Sequence, residues 1–380
     1  MLSPSELSQI HDAAVKRTEA VAELARRICE VPAPTGNEWE RARLVASLWQ
    51  EQGYVPEIDD VGNVYISRGK REDGPVLMLL AHTDTVFPPT TPIRVERHGD
   101  MLSGPGIGDN SVHVAAMISV LGVLDELERA CDAEMVAVAN VGEEGLGNLL
   151  GARVAVERYR QRLGAVIAID GDLGNIVHVA VGSKRWRIRV SGPGGHSYSD
   201  FGTPSAIHGL GRIIAAIAQL EVPQQPKTTF NVSLIEGGTS INTIAAQANA
   251  LLDMRSTEMA ALDQVAEQIR RLIEQSAGPG LRTEIEILGE RPAGMRTQTD
   301  PLVQLAAEAI TWVGMEPKYE ASSTDANIPI SLTFPAVCIG VTQVERAHTL
   351  EEFLYVPPIG VGLAQLTRLC IEACTLIANT

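Results

Sequence analysis

Short apolar runs alternate with helical patterns through the first half of the chain, and this alternation constrains the fold more than any other feature. The runs are rich in β-branched residues and end in polar or glycine-containing turns: NVYISRG, PVLMLLAHTDT, EMVAVANVG and AVIAIDGD. Apolar residues recur at i, i+3 and i+4 in the intervening segments SVHVAAMISVLGVLDELERA and GNLLGARVAVERYRQRL. Buried strands that alternate with helices are typical of an α/β sheet covered by helices on both faces. The sequence therefore predicts a mixed α/β domain.

A different order of elements begins after residue 182. It consists of the strand SKRWRIRVSG, the helix TPSAIHGLGRIIAAIAQL, the strands TTFNVSLIEGG and AQANALLDMRS, the helix LDQVAEQIRRLIEQSA and the strand RTEIEIL. This β-α-β-β-α-β order is that of a ferredoxin-like α+β domain. Helical and buried-strand patterns return after residue 290, and 380 residues are enough for two cores. We therefore predict one domain from 1–182 and 291–380, interrupted by an inserted domain at 183–290.

The charge balance bears on possible partners. The chain has 47 acidic and 31 basic residues and a net charge of −16. Such a field repels phosphate backbones and anionic lipid surfaces. We therefore expect no nucleic-acid partner and no membrane association.

Cysteine usage and apolar run lengths bear on the location of the protein. Five scattered cysteines form no C-x-x-C pair, and no apolar run approaches the ~18 residues that span a bilayer. The first residues, MLSPSEL, are typical of a helix cap and lack the pattern of a signal peptide. Cys370 and Cys374 are expected to be buried core thiols, and the protein is expected to be cytoplasmic.

Acidic residues and one histidine follow the predicted strands. His82 and Asp84, Glu143 and Glu144, and Asp170 come directly after predicted strands, and Asp109 lies just before a predicted helix. A single such residue is more often a helix cap or a solvated turn, but their joint placement at strand ends favours a functional site, because sites of α/β sheets form there. Imidazole and carboxylate ligands suit two zinc-like ions ~3.5 to 4 Å apart, with one bridging carboxylate and another free as a base.

The motifs AHTDTVFP, SGPGIGDNSVHVAAM, VGEEGLG, AIDGD and RAHTLEEF resemble the zinc peptidase family that contains peptidase T, glutamate carboxypeptidase and aminoacylase. The resemblance spans nearly the whole chain. It implies two divalent metals per chain, with zinc expected and cobalt or manganese as alternatives. The metal ligands that it implies are His82 and Asp170 on one metal, Glu144 and His348 on the other, and Asp109 as the bridge. It also implies that Glu143 is the general base and that Asp84 orients the histidine ligand.

Motifs in the inserted segment also resemble the dimerisation domain of that family. They are GPGGHSYSDFGTPSAIHGL with His196, IEGGTSINTIA with Asn242, and DMRS with Arg255. The resemblance implies a homodimer through 183–290 in which His196 reaches the partner's site and stabilises the oxyanion, while Asn242 and Arg255 hold substrate. From the residues alone, Asn242 could equally cap a turn and Arg255 could sit in an ordinary ion pair.

Two segments depart from the family pattern. A lysine and glycines often follow the bridging aspartate, whereas this chain continues from Asp109 to His113 as DNSVH, and VERA at 344–347 replaces a common glycine pair. The ligands remain, but the substrate shape near the second metal is left open. The family also implies a cis peptide bond after Asp109.

Other segments look closest to the peptidase-T-like branch. They are GEEGLGNLLGAR, DGD, GPGGHS, RPAG and SSTDANIP, and the last of these places Asp325 near the site. His113, His178 and His208 lie in apolar segments, so we expect them to be core residues.

These features predict a two-metal hydrolase of amide bonds in small peptides, an exopeptidase of the aminopeptidase, tripeptidase or dipeptidase kind. An N-acyl amino acid deacylase or a carboxypeptidase on the same scaffold is the alternative, because the same centre serves any unactivated amide. A non-catalytic metal-binding dimer is an alternative of another class, and it predicts loss of the base or of a ligand. The implied base and all five implied ligands are present in this chain, which argues against that alternative.

Overall fold

The computed structural model of the protein describes residues 2–69 and 73–379. It divides into two compact units. The first, the catalytic unit, runs to Ala180 and resumes at Met295, and the second, the inserted unit, is Val181–Gly294. The first unit has two hydrophobic cores, and the inserted unit has one.

Helices and strands are numbered in chain order. The helices are α1 (Pro4–Val15), α2 (Thr18–Cys29), α3 (Trp39–Glu51), α4 (Val112–Glu126), α5 (Leu150–Tyr159), α6 (Ala206–Ile217), α7 (Met259–Ser276), α8 (Pro301–Trp312), α9 (Asn327–Ser331) and α10 (Pro358–Ala378). The strands are β1 (Glu57–Ile58), β2 (Val64–Arg68), β3 (Val76–His82), β4 (Glu96–His98), β5 (Met101–Ser103), β6 (Glu134–Asn140), β7 (Leu163–Ile169), β8 (Asn175–Ala180), β9 (Gly182–Ser191), β10 (Gly195–His196), β11 (Thr228–Gly237), β12 (Thr243–Ile244), β13 (Gln247–Ser256), β14 (Arg282–Arg291), β15 (Gly294–Met295), β16 (Lys318–Ser322), β17 (Ala336–Ile339), β18 (Val344–Glu345) and β19 (Phe353–Tyr355).

The main sheet of the catalytic unit has the strand order β1-β2-β6-β3-β7-β17-β8, with β16 beside β8. Its centre, from β6 to β17, is parallel, whereas β2 and β8 join it antiparallel. Every residue of β3 is buried, and alternate residues pack into two different cores. Leu77 and Leu79 lie in the core with α2, α4 and α10, and Met78 and Leu80 lie in the core with α5 and α9. The predicted mixed sheet covered by helices is confirmed.

The parallel register brings three strand ends to one edge of this sheet. His82, the last residue of β3, pairs with Asn140, the last residue of β6. Strand β7 runs parallel to β3 on its other side and ends at Ile169. The segments that follow these strands therefore begin side by side.

A small antiparallel sheet of β4, β5, β19 and β18 was not predicted. Its strands are two or three residues long, too short to show a period in the sequence. Strand β5 leads into the irregular turn Ile107–Ser111, and His348 lies in the connection from β18 to β19. This sheet therefore supports two further candidate ligands.

The inserted unit is a four-stranded antiparallel sheet in the order β11-β13-β9-β14 with two helices, α6 and α7. In β9, Trp186, Ile188 and Val190 pack into the core with both helices, and arginines alternate with them. The strand order and the sequence of elements confirm the predicted ferredoxin-like domain.

Two helical segments, Ile107–Glu126 and Pro358–Ala378, are long and apolar enough to cross a membrane by composition alone. They are 83% and 67% buried inside the protein, as core helices are. The five cysteines are buried, so the prediction that Cys370 and Cys374 are core thiols is confirmed. The predicted cap of α1 is also present, with Ser3 and Glu6 forming a reciprocal capping box.

Candidate metal centre

Donor atoms from the end of β3 and from four loops meet at the edge where β3, β6 and β7 end. They form three groups, in each of which the donor atoms lie within 4.8 Å of one another: His82, Asp109 and Asp170; Asp109, Glu144 and His348; and His82, Glu143 and Glu144. The structure thus brings together all five predicted ligands and the predicted base. Asp109 is common to the first two groups, which is the position of a bridging ligand.

The two carboxylate oxygens of Asp109 face two different histidines. Asp109 Oδ1 lies 3.1 Å from His82 Nε2, and Asp109 Oδ2 lies 2.9 Å from His348 Nε2. His348 Nε2 also lies 2.9 Å from Glu144 Oε1, and His82 Nε2 lies 4.0 Å from Asp170 Oδ2. The arrangement has two halves that share one carboxylate.

Unpartnered atoms show that these residues fit metal ions. Within the described residues, His82 Nε2 and Asp109 Oδ1 are buried and have no hydrogen-bond partner, although they lie 3.1 Å apart. Buried polar atoms rarely lack a partner in native proteins, and a neutral imidazole nitrogen and a carboxylate oxygen can both be satisfied by one cation. The donor set of two imidazoles and three carboxylates suits a pair of zinc-like ions.

The crowding of charge shifts the pKa values of these groups in the metal-free protein. Burial and the nearby Asp109 carboxylate raise the pKa of Asp170 to about 7. Hydrogen bonds to Asp109 and Glu144 raise the pKa of His348 to about 11. Near neutral pH, His348 therefore holds a proton and Asp170 is partly protonated, and a metal ion must displace these protons.

We expect metal binding to release protons and to weaken as the pH falls. Asp170 gains its proton below about pH 7, so the affinity for Co²⁺ should fall there by about tenfold per pH unit for each proton displaced. Calorimetric titration with Co²⁺ in buffers of different ionisation enthalpy measures the number of protons released. An affinity that is unchanged between pH 5 and pH 7 would contradict this expectation.

Asp84 connects the His82 loop with the glutamate pair. It is fully buried and accepts hydrogen bonds from the backbone N–H groups of Glu143 and Glu144, each at 2.9 Å, and from the Thr35 hydroxyl at 2.9 Å. His82 Nδ1 lies 3.1 Å from the backbone carbonyl oxygen of Asp84 and 3.5 Å from its carboxylate Oδ1. Burial alone would raise the pKa of Asp84, but its contacts with His82 and the two N–H groups lower it. A charged Asp84 at this position can orient both the imidazole and the glutamate pair.

The turn that carries Asp109 is held by a residue that sequence reasoning missed. The buried Glu352 carboxylate accepts hydrogen bonds from the backbone N–H groups of Gly106 at 3.1 Å, Gly108 at 2.7 Å and Asp109 at 2.8 Å. Gly108 also leaves no room for a side chain, because a Cβ would lie 2.3 Å from Val344. The Asp109-Asn110 peptide bond is cis, so that prediction is confirmed.

Two more supporting residues lie behind the site. Arg41, on α3, is fully buried and donates to the carbonyl oxygens of Cys29, Val31 and Thr83. Thr83 is the residue between His82 and Asp84, so Arg41 fixes the backbone that carries both of these side chains. The position of Arg41 in an amphipathic helix did not indicate this role from the sequence. The predicted neighbour Asp325 is buried and accepts a hydrogen bond from Asn140 Nδ2 at 2.7 Å, at the end of β6.

The three candidate residues of the inserted unit have local partners. His196 lies in β10, opposite Thr243 of β12, and its Nδ1 accepts long hydrogen bonds of 3.3 Å from the backbone N–H groups of Tyr198 and Ser199. Asn242 accepts a hydrogen bond from the Ser240 hydroxyl at 3.1 Å within an exposed turn. Arg255 Nε lies 2.8 Å from Asp253 Oδ2, which is the ordinary ion pair considered above.

Of the three histidines that were expected to lie in the core, two are buried and one is exposed. His113 and His178 are buried and contact backbone carbonyls, as expected of core histidines. The prediction for His208 is wrong, because it is exposed on α6. The buried stripe of that helix contains Ala206, Gly209 and Leu210, so His208 lies on the opposite face.

Comparison with known families gives two matches. Residues 180–280 match the peptidase dimerisation domain, and residues 63–185 match peptidase family M28. Among curated proteins, a succinyl-diaminopimelate desuccinylase of Methylobacterium sp. (strain 4-46) is 27% identical over 384 residues, which cover 92% of this chain and 95% of the relative.

Two solved structures share the fold over almost their whole length. Aminopeptidase PepT from Bacillus cereus ATCC 10987 has a TM-score of 0.76 at 21% identity and covers 94% of this chain and 99% of its own. A tripeptidase from Staphylococcus aureus subsp. aureus Mu50 has a TM-score of 0.80 at 21% identity, with 96% and 99% covered. Both support the fold class given above.

Proposed function

We propose that this chain, which matches the peptidase dimerisation domain at residues 180–280 and peptidase family M28 at residues 63–185, is a two-metal exopeptidase that hydrolyses amide bonds in small peptides. The observation that carries the proposal is the shared Asp109 carboxylate, each oxygen of which faces a different histidine beside further carboxylates. A centre with two halves of this kind is suited to attack on an unactivated carbonyl.

In our assignment, the metal ligands are divided between the two halves of the site. His82 and Asp170 would hold one ion, Glu144 and His348 would hold the other, and Asp109 would be shared by both. We propose zinc because imidazole and carboxylate donors suit it, and cobalt or manganese can take the same ligands. When bound, two such ions polarise the amide carbonyl and lower the pKa of the attacking water.

Glu143 is proposed as the general base and acid. It is buried, and its donor atoms lie within 4.8 Å of those of His82 and Glu144, yet it belongs to neither of the two groups that share Asp109. Its backbone N–H is fixed by Asp84. A carboxylate so placed can take a proton from the attacking water and return it to the leaving nitrogen.

His196 is proposed to complete the site of the partner subunit. Its Nδ1 accepts backbone N–H groups, so its remaining proton lies on Nε2 and this atom is a hydrogen-bond donor. A donor is what a developing oxyanion requires. Asn242 and Arg255 are proposed to hold substrate, Arg255 through a substrate carboxylate that competes with Asp253.

The substrate class is tested by comparing di- and tripeptides with N-acyl amino acids. We expect hydrolysis of the small peptides in the presence of Zn²⁺, Co²⁺ or Mn²⁺. The 27% identity with a succinyl-diaminopimelate desuccinylase favours N-acyl amino acids as the second candidate class. Faster hydrolysis of N-succinyl or N-acetyl amino acids would replace the peptidase proposal with a deacylase. No hydrolysis of either class would favour a metal-binding protein without catalytic activity.

We also propose that the chain is a homodimer through an edge of the inserted sheet. Within the described residues, β11 pairs only with β13, so its other edge has free backbone groups. Leu234 and Ile235 on β11 are about half exposed, and Ile207 on the adjacent α6 is also exposed. An apolar, unpaired edge is a template for pairing with a second copy.

Ile235→Lys should therefore shift the protein from dimer to monomer. The charge would lie in the interface, so we expect the dimer to weaken by roughly 30-fold or more, the effect of losing about 2 kcal/mol. Light scattering after size-exclusion chromatography measures the mass at several concentrations. Ile287→Lys on β14, the opposite edge, is the matched control, because Ile287 is 57% exposed and Ile235 is 56% exposed. If Ile287→Lys gave monomers and Ile235→Lys did not, the interface would lie at the β14 edge and the proposal would be wrong.

A further inference from the structure

One buried imidazole touches both loops that carry the aspartates of the first donor group. His113 Nδ1 lies 3.0 Å from the carbonyl oxygen of Gly108, the residue before Asp109. His113 Nε2 lies 3.0 Å from the carbonyl oxygen of Gly171, the residue after Asp170. The ring is fully buried, and both of its nitrogens face backbone carbonyl groups.

The position of His113 explains how it reaches both loops. It lies in the first turn of α4, directly after the turn Ile107–Ser111, so its side chain folds back over that turn. The imidazole therefore fills the space between the two loops.

We propose that His113 is a positioning residue that sets the spacing between Asp109 and Asp170 by linking the backbones of their loops. The inference rests on the proposed metal centre, in which Asp170 belongs to one half and Asp109 to both. A fixed distance between the Asp109 and Asp170 carboxylates favours binding of the metal ion that both of them would ligate. His113 therefore strengthens the half of the site formed by His82, Asp109 and Asp170.

Both nitrogens of the ring lie at hydrogen-bond distance from a carbonyl oxygen. Burial lowers the pKa of His113, and the nearby Asp109 carboxylate and the two carbonyl contacts oppose that shift. The rigid width of the ring fixes the separation of the two loops. The loss of either contact leaves the loops free to shift by the small distances that weaken metal ligation.

The test uses three substitutions that keep different parts of the ring. Asn places an amide near the position of Nδ1 and retains the reach to Gly108, Gln places one near the position of Nε2 and retains the reach to Gly171, and Ala retains neither. Stepwise titration of the metal-free proteins with Co²⁺, followed by its visible absorption, measures both binding steps. Asp170→Asn and Glu144→Ala identify which step belongs to which half.

We expect His113→Ala and His113→Asn to weaken the Asp170 step by about 10- to 100-fold and His113→Gln to restore most of it. The Glu144 step should change less, which also shows that the variants are folded. His178→Ala removes another buried imidazole that contacts a backbone carbonyl, at Arg296, and should leave both steps unchanged.

Three outcomes would overturn the inference. They are wild-type binding by His113→Ala, wild-type binding by His113→Asn, and no recovery by His113→Gln. Failure of the wild-type protein to bind two Co²⁺ ions is different, because it would overturn the proposed metal centre itself. The two failures are therefore distinguishable within one set of titrations.

Discussion

Glu143→Gln should lower the turnover of the best peptide substrate by about 10²- to 10⁴-fold, which is the usual contribution of general acid–base catalysis. The amide has the size of the carboxylate but cannot accept a proton from the attacking water. Glu143 belongs to neither donor group that shares Asp109, so two metals per chain should remain bound. Steady-state kinetics and metal analysis of the dialysed protein measure the two quantities.

Glu144→Ala is the matched control for this experiment. Glu144 lies in the group with Asp109 and His348, so its loss should reduce metal occupancy as well as activity. Both residues are buried to the same extent and both backbones are held by Asp84, so any difference between the variants reflects their side chains. Metal loss in Glu143→Gln, with both ions kept in Glu144→Ala, would reverse the two roles.

The fold could be predicted because its core elements carry their pattern locally. Strand β3 is apolar at every position since both faces are covered, and β9 alternates since only one face is covered. Parallel strands then bring their ends to one edge, which is why His82, Glu144 and Asp170 could be grouped from the sequence. The recognised motifs supplied the rest of the donor set, including His348.

The supporting residues could not be predicted because their contacts are distant in sequence. Glu352 binds the backbone of Asp109 across 243 positions, and Arg41 binds that of Thr83 across 42. A helical period shows which face of α3 or α4 is buried but not which carbonyl a buried side chain meets. For this reason His113 was expected only to be a core histidine. The prediction that His208 is buried was wrong because an apolar helix still has an exposed face.

The shared-site proposal has an all-or-none test, because two inactive homodimers should regain activity when their subunits exchange. Glu143→Gln lacks the base in the catalytic unit, and His196→Ala lacks the proposed oxyanion donor in the inserted unit. If His196 acts on the partner's site, one site of a mixed dimer receives both defects and the other receives neither. Random exchange makes roughly half of the dimers mixed, so roughly a quarter of all sites should regain full activity.

Subunit exchange must be measured independently of activity, because a lack of recovery is informative only when mixed dimers have formed. Exchange is followed independently by energy transfer between subunits that carry different dyes, and activity should rise at the same rate as the mixed dimer forms. Ile235→Lys in both partners is the matched control, since a monomer cannot share His196 and should recover nothing. If His196 acted within its own chain, every site in every mixed dimer would keep one defect. Complete exchange without recovery would then refute the shared site while leaving the metal centre and Glu143 as assigned.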